Sequence, residues 1–327
     1  MIVRLRGAPS TKRLLQSRKS SVKRCALVRR QAAQQNRKTL DVAGAQEEGM
    51  TQIKRSYCLL ALFSLVAPLP ALAQGIVTHD IDYLSSAEYE DGKDLLDIYM
   101  PEGVADAPVV VFFHGGALRA GDKSDGQGVA QRLVPHGIGV VSASYRLTPS
   151  VMHPAHVQDA AAAAAWVVEN IADYGGNPDN VYVSGHSAGA YLAALLTLDP
   201  SHLEVHDLDP SSLRGSIPIS AFLYVEETAA DRPKDVWGTD PADWLVASVA
   251  PHIGTAGGRM LLIYADGDDE WRREQNERFG EAMRSAGSHG VRVVEVPNRN
   301  HMSLMTDLNA SDDHIGDLML RFIQQHE

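Results

Sequence analysis

The segment Gly185-His186-Ser187-Ala188-Gly189 constrains the fold more than any other part of this chain. It follows an apolar run typical of a buried strand and precedes an Ala/Leu-rich run typical of a helix. In a turn this tight the central serine adopts a strained backbone conformation, and only small neighbours leave its hydroxyl accessible. The pattern therefore predicts a strand–turn–helix unit that presents Ser187 as a nucleophile.

Basic and acidic residues are distributed unevenly along the 327-residue chain. Residues 1–73 contain 14 of the 30 Lys and Arg residues but only 3 of the 41 Asp and Glu residues. The rest of the chain therefore contains 16 basic and 38 acidic residues, a formal charge of −22. Phosphate contacts require clustered Lys and Arg, and no such cluster follows residue 55. A nucleic-acid partner is not expected.

Residues 50–73 have the three parts of a secretory signal peptide. A basic pair precedes an apolar run, which ends in Ala71-Leu72-Ala73, and cleavage is expected after that tripeptide. The apolar run is too short and too interrupted by proline to predict a stable membrane span. We therefore expect a periplasmic or secreted protein that starts at Met50. Residues 1–49 are then a disordered basic extension or lie upstream of the true start.

Both cysteines, Cys25 and Cys58, precede the expected cleavage site. The mature chain would contain no thiol, so disulfides, cysteine catalysis and thiolate metal sites are not expected. The acidic run from Asp266 to Asp269 lacks the ligand spacing of a calcium loop. We therefore predict neither a cofactor nor a metal.

From residue 74 onward, compact apolar runs alternate with helix-length segments, which is typical of a parallel sheet covered by helices on both faces. The first two runs flank Glu90-Asp91-Gly92-Lys93 and predict an antiparallel hairpin. We predict one α/β domain over residues 74–327, with a small lid at about 222–252. Trp237 and Trp244 lie in that lid and either line a pocket or pack inside it. The expected strands are 76–83, 95–100, 109–113, 139–144, 181–184, 215–219, 260–265 and 291–296, and the expected helices are 156–170, 188–198, 271–286 and 312–325.

A serine nucleophile needs a base within hydrogen-bond reach and a carboxylate that orients the base. Where the nucleophile lies in a strand–turn–helix unit, the acid follows it in sequence and the histidine comes last. Asp268 and His301 each follow an apolar run, so both are expected at the carboxyl end of a strand. Ser187, Asp268 and His301 are therefore the predicted catalytic residues. Asp266 and Asp269 are the alternatives for the acid.

A glycine-containing loop that starts at His114 follows an early apolar run. The oxyanion formed by serine attack needs donors already aimed at it, and backbone amides freed by glycines supply them. We expect the oxyanion hole to consist of the amides of Gly116, Ala117 and Ala188. His114 is interpreted as a residue that braces this loop, and His186 as part of the pocket wall.

These motifs resemble those of the α/β-hydrolase superfamily, in particular carboxylesterases, arylformamidases and feruloyl-esterase-like proteins that carry HGGxW and GHSAG. Here the first motif reads His114-Gly115-Gly116-Ala117-Leu118, and the acid loop reads Ala265-Asp266-Gly267-Asp268 where relatives often have GxxD. Residues 144–149 and 174–180 also resemble segments of such esterases. The resemblance covers residue 76 to the C-terminus. It implies an α/β-hydrolase fold whose mostly parallel sheet starts with an antiparallel hairpin.

The residues and the resemblance together predict a serine hydrolase that cleaves a small-molecule carboxylic ester through an acyl-enzyme intermediate. Hydrolysis of an N-formyl group or another amide, as in the arylformamidases, would use the same machinery and is the first alternative. A non-catalytic binding protein with this fold is the second, and it would require that a catalytic residue be missing. The sequence leaves open the acyl group, the alcohol and the oligomeric state.

Overall fold

One eight-stranded sheet organises the computed structural model, which describes residues 75–85, 89, 91–228, 232–254 and 258–325. The predicted signal peptide and N-terminal extension lie outside these residues. The described residues belong to a single compact unit within Pro68–Glu327. The strands are β1 (Gly75–Asp82), β2 (Leu95–Pro101), β3 (Ala107–Phe113), β4 (Gly139–Ala143), β5 (Gly176–His186), β6 (Gly215–Ile219), β7 (Met260–Gly267) and β8 (Val291–Asn300).

Within the described ranges nine α-helices and six short 3₁₀ turns accompany the sheet. The helices are α1 (Gln127–Leu133), α2 (Ala155–Asn170), α3 (Ala188–Leu198), α4 (Ser201–Glu204), α5 (Arg232–Trp237), α6 (Pro241–Ala247), α7 (Glu270–Ser285), α8 (Ser303–Thr306) and α9 (Ile315–Gln324). The 3₁₀ turns are Lys123–Gly126, Val134–His136, Ile171–Tyr174, Pro210–Ser212, Val225–Glu227 and Ala250–His252. No helix in this part of the chain has the length and apolar character needed to cross a membrane.

The strand order in the sheet is β1-β2-β4-β3-β5-β6-β7-β8. The pairs β1–β2 and β2–β4 are antiparallel, and the other five pairs are parallel. The hairpin between β1 and β2 turns at Gly92, whose φ of +69° suits glycine. The predicted fold, a mostly parallel sheet that starts with an antiparallel hairpin, is confirmed.

Both faces of the sheet are covered, which explains why the strand sequences are continuously apolar. Val109, Val111 and Phe113 of β3 belong to one core cluster, whereas the alternating Val110 and Phe112 belong to a second. Helices α2, α3 and α7 contribute buried side chains to the first cluster, and α1 and α9 contribute to the second. The sheet therefore has a separate hydrophobic core on each side.

Helix α3 lies in the centre of the first core. All eleven of its residues are buried, as its Ala/Leu-rich sequence requires, because a helix that is apolar on every side is stable only inside a protein. Each buried leucine contributes about 1.5–3 kcal/mol to folding. The buried helix fixes the position of Ser187, which directly precedes it.

Several element boundaries differ from those predicted. Strands β7 and β8 continue two and four residues beyond their apolar runs and remain paired to Gly267 and Asn300. These extensions are polar and were invisible to hydrophobic periodicity. Helix α9 begins at Ile315 and not at residue 312, because the carboxylate of Asp313 accepts hydrogen bonds from the first amides of the helix.

Candidate active site

Four polar residues follow the carboxyl ends of four neighbouring parallel strands. Ser187 follows β5, Ser220 follows β6, and His301 follows β8. Asp268 directly follows β7. Ligands bind at this edge of open α/β sheets, so the topology alone places these residues at one functional edge.

The turn at Ser187 is a strained backbone supported by glycines. Ser187 has φ 55° and ψ −110°, a conformation that non-glycine residues rarely adopt. Its amide donates to the carbonyl of Ile219 over 2.9 Å. An added Cβ at Gly189 would overlap the carbonyl of Phe113, and one at Gly185 would overlap the backbone of Gly189. Only glycine at these two positions lets the helix approach the strand this closely.

His301 and Asp268 are brought together by the structure. Nδ1 of His301 donates to Oδ1 of Asp268 over 2.8 Å. Burial raises the pKa of the Asp268 carboxyl, but hydrogen bonds from His301, the amide of Ala265 and Ser220 outweigh burial and hold this pKa below its usual value. Asp268 is therefore an ionised, buried carboxylate that faces an imidazole.

The two alternative acids lie elsewhere. Asp266 is exposed and accepts hydrogen bonds from the amides of Asn298 and Arg299 over 2.9 and 3.1 Å, which lower its pKa. Asp269 directly precedes α7 and lines a cavity. Of the three candidates, Asp268 is the one whose carboxylate bonds to His301.

Ser220 is a site residue that the sequence analysis missed. Its hydroxyl lies 2.8 Å from Oδ2 of Asp268 and 2.8 Å from Nδ1 of His301. The residue is fully buried and has φ 55°. No motif surrounds it in sequence. The one available signal was its position directly after an apolar strand of the parallel sheet.

Of the predicted oxyanion donors, Ala188 directly follows Ser187, and Gly116 and Ala117 line the same cavity as Ser187. Gly116 has φ 102°, and a Cβ there would overlap the carbonyl of Ala120, so the loop requires glycine at this point. A Cβ added to the preceding Gly115 would lie 3.6 Å from Cβ of Ser187. Ala188 is the first residue of α3, and amides in the first turn of a helix have no acceptor within the helix.

A cavity of about 740 Å³ contains both Ser187 and His301. Gly116, Ala117 and Trp271 also line it. The remaining lining residues are Phe112, Gly115, Ala120, Gly121, Asp125, His186, Asp269, Arg272, Met302, Met305 and Thr306. The predicted nucleophile and base therefore line one cavity with two of the three predicted oxyanion donors, and the cavity is large enough for a small ester.

The segment predicted to form a lid contributes no lining residue to this cavity among its described positions. Trp237 is buried against Tyr191 and Phe222, and its indole nitrogen donates to the Tyr191 hydroxyl over 3.2 Å. The indole nitrogen of Trp244 donates to the carbonyl of Gly238. Trp244 therefore bonds within the segment, whereas Trp237 packs against Tyr191 of α3. The action of the segment as a lid stays a prediction.

His114 and His186 are buried and neutral. Burial lowers the pKa of His114 to about 4 and that of His186 to about 3. The ring of His114 stacks on Tyr145 at 4.2 Å, which suits a residue that braces the loop. Nε2 of His186 donates to the carbonyl of His301 over 2.8 Å and so holds the backbone of the predicted base. Within the described ranges, no group of three or more His, Cys, Asp or Glu side chains could hold a metal ion.

The chain is similar to one family model and to several curated proteins. The BD-FAE family model matches residues 96–221. The chain is 29% identical over 254 residues to the esterase LipQ of Mycobacterium tuberculosis, covering 72% of this chain and 59% of LipQ. It is 25% identical over 248 residues to a kynurenine formamidase of Salmo salar, covering 73% of this chain and 82% of that protein. This chain therefore spans less than two thirds of the length of LipQ.

A solved structure of a truncated carbohydrate esterase from gut microbiota superposes on this chain with a TM-score of 0.68. The two are 19% identical, and the alignment covers 78% of this chain and 97% of that one. At this identity the likeness shows a shared fold. The fold is that of the α/β-hydrolases, as the motifs predicted.

Proposed function

We propose that this chain, which has the α/β-hydrolase fold and matches the BD-FAE family model over residues 96–221, is a serine esterase that cleaves a small-molecule carboxylic ester through an acyl-enzyme. One observation carries the proposal. His301, bonded to the buried carboxylate of Asp268, lines the same cavity as Ser187 in its strained turn. Esterases among the relatives of the chain support the proposal.

The first half of the reaction forms the acyl-enzyme. Because Nδ1 of His301 keeps its proton in the bond to Asp268, Nε2 carries the free lone pair and accepts the proton of the Ser187 hydroxyl. The serine oxygen attacks the ester carbonyl. His301 then returns the proton to the departing alcohol, and the acyl group stays on Ser187.

The second half releases the acid. A water molecule gives a proton to Nε2 of His301 and attacks the acyl carbonyl, and the same nitrogen returns the proton to Ser187. In both halves the amides of Gly116, Ala117 and Ala188 would stabilise the oxyanion, and losing one such donor typically costs about 3 kcal/mol. The ionised Asp268 stabilises the imidazolium that forms each time.

Hydrolysis of a formamide is the second candidate. The observation in its favour is the salmon relative named a kynurenine formamidase, of which the chain covers 82%. The same residues would act, with His301 giving its proton to a departing amine. Assays of the purified protein with an aryl ester and an aryl formamide at equal concentrations distinguish the two activities. A higher kcat/KM for the formamide would replace the ester assignment.

Covalent labelling tests the nucleophile directly. A fluorophosphonate should react with Ser187 and with no other serine, and peptide mass spectrometry locates the adduct. Denatured protein is the control and should not be labelled. Labelling of another residue, or none in a protein that hydrolyses esters, would overturn the assignment. Esters of increasing acyl length would then define the size of the acyl group.

We also propose that the chain is exported, on the basis of residues 50–73. Expression from Met50 in a Gram-negative host should give a periplasmic protein whose N-terminus is Gln74. An uncleaved protein in the cytoplasm would contradict this proposal. That result would leave the proposed chemistry unaffected.

A further inference from the structure

Ser220 contacts both members of the predicted acid–base pair. Its hydroxyl lies 2.8 Å from Oδ2 of Asp268 and 2.8 Å from Nδ1 of His301. The hydroxyl has one proton, and the ionised carboxylate can only accept. Ser220 therefore donates to Asp268, and its oxygen accepts from the Nδ1–H of His301. That Nδ1–H is shared between two acceptors, Oδ1 of Asp268 and the hydroxyl of Ser220.

The same hydroxyl fixes the orientation of the carboxylate. Oδ2 of Asp268 accepts two hydrogen bonds, from the amide of Ala265 over 2.9 Å and from Ser220. Oδ1 is left to face the imidazole of His301. Without the hydroxyl, Oδ2 keeps a single fixed donor, and the carboxylate gains freedom to rotate away from the imidazole.

The backbone of Ser220 is held from both sides. Its amide donates to the carbonyl of Ile263 over 2.6 Å, and its carbonyl accepts from Nη1 of Arg272 over 2.6 Å. These bonds maintain a φ of 55°, which is unfavourable for serine and favourable for glycine. The chain thus keeps a hydroxyl at a position where the backbone alone would favour glycine.

We propose that Ser220 is a positioning residue that orients Asp268 and supplies a second acceptor for the Nδ1–H of His301. The inference rests on the proposed esterase activity and extends it. Ser220 acts through the acid and the base and has no contact with the reacting atoms in this role. Its removal should slow the proton transfers and leave substrate binding unchanged.

Two substitutions separate the hydroxyl from the backbone. Ser220→Ala removes the hydroxyl and keeps the unfavourable φ, whereas Ser220→Gly removes the hydroxyl and relieves it. Both should lower kcat by about 10- to 100-fold, since small misplacements of a catalytic group have effects of this size. KM should stay within about twofold, because binding is unaffected. If Ser220 served only the backbone, Ser220→Gly would keep the wild-type kcat, and the inference would be wrong.

The pH profile gives a readout that simple destabilisation would not change. Loss of one acceptor for the Nδ1–H disfavours the imidazolium, so the acid limb of kcat/KM should move to lower pH in both variants. The other charged or titratable groups that contact His301 or line its cavity are Asp125, Asp268, Asp269, Arg272 and His186, and both variants keep them all. An unchanged acid limb with wild-type kcat would overturn the inference.

A matched control is available on the neighbouring strand. Ser184 is also fully buried, and its hydroxyl donates to the carbonyl of Ile217 over 2.7 Å. Ser184→Ala should lower the melting temperature and leave kcat unchanged. Fluorophosphonate labelling of the wild type distinguishes a failure of the proposed esterase activity from a failure of the positioning role. Without labelling at Ser187 the esterase proposal itself fails, whereas labelling with unaffected Ser220 variants rejects the positioning role alone.

Discussion

The turns at Ser187 and Ser220 use the same backbone device on neighbouring strands. Both serines have φ 55°, and both directly follow a parallel strand. Each donates its amide to a carbonyl of the next strand, Ser187 to Ile219 and Ser220 to Ile263. Both hydroxyls are thereby presented at the carboxyl edge of the sheet.

The two turns differ in what supports the strained backbone. Ser187 lies between glycines at 185 and 189, which are the residues that the close approach of strand and helix requires. Ser220 lies between Ile219 and Ala221, and its support comes from Arg272, 52 residues further along the chain. Strain supported by neighbours in sequence can be predicted from a motif. Strain supported by distant contacts requires the three-dimensional structure.

Substitution at the first of these serines should have the largest effect. Ser187→Ala removes the nucleophile, so kcat for a short-chain aryl ester should fall by about 10⁵- to 10⁶-fold, as in other serine hydrolases. The loss should far exceed that of Ser220→Ala if the two serines differ in role as proposed. Steady-state kinetics measure the ratio, and circular dichroism checks that the fold is intact. Equal losses would mean that Ser220 is as essential to the reaction as Ser187, and the difference in role would be wrong.

Asp268→Asn should have the next largest effect. The side-chain oxygen of asparagine would take the place of Oδ2, where the amide of Ala265 donates, and its NH₂ would face His301. His301 would then accept at Nδ1 and carry its proton on Nε2, where it cannot accept from Ser187. In a serine protease the equivalent change lowers kcat by about 10⁴-fold, and we expect a similar loss.

The matched control for this substitution is Asp266→Asn. Asp266 is exposed and bonds to backbone amides of the β8 extension. Its replacement should leave kcat within about twofold of the wild type. A large loss from Asp266→Asn together with an active Asp268→Asn would reassign the acid. Stopped assays at saturating ester concentration are sufficient for this comparison.

Most of the fold was predictable because hydrophobic periodicity reports burial directly. All eight strands lie where apolar runs predicted them, since parallel strands covered on both faces are continuously apolar. The Ser187 turn was predictable from its glycines, and the position of Asp268 from its spacing. Each of these features is encoded by residues that are close to one another in sequence.

The remaining features depend on contacts between distant segments. Ser220 meets Asp268 and His301 only because β6, β7 and β8 are neighbours in the sheet. The polar extensions of β7 and β8 likewise exist because they pair with each other. Hydrophobic periodicity does not detect paired strands made of polar residues. No local motif marks a serine whose partners lie 48 and 81 residues away in sequence.

Glycine substitution tests the local support of the Ser187 turn. The Cβ of Gly189→Ala would overlap the backbone carbonyl of Phe113, which cannot move without distorting β3. We expect a loss of about 3 kcal/mol or more in the free energy of unfolding, or failure to fold. Gly287→Ala is the control, since this residue also has positive φ but no neighbour within 4 Å. Gly287→Ala should lower the free energy of unfolding by only about 1–2 kcal/mol. Urea unfolding of both variants measures the difference.

The smallest expected effect is on the pH dependence of stability. The residue before Ser187 is the titratable His186, whereas the residue before Ser220 is the apolar Ile219. Burial lowers the pKa of His186 from 6.5 to about 3 in the folded state. As the pH falls below about 6.5, the unfolded chain binds this proton first, so the free energy of unfolding decreases until the pH reaches about 3. Between pH 7 and pH 5 this titration should lower the free energy of unfolding by about 2 kcal/mol.

His186→Gln removes this titration and keeps an amide N–H that can donate to the carbonyl of His301. Urea unfolding at pH 7 and pH 5 should therefore show a loss of stability about 2 kcal/mol larger in the wild type than in the variant. The other buried histidines with lowered pKa are present in both proteins, so their contributions cancel. Equal losses in the two proteins would mean that His186 is protonated as readily in the folded turn as in the unfolded chain. The turn at Ser187 would then resemble the turn at Ser220 in its response to acid, and the two would still differ in their support, glycines at one and Arg272 at the other.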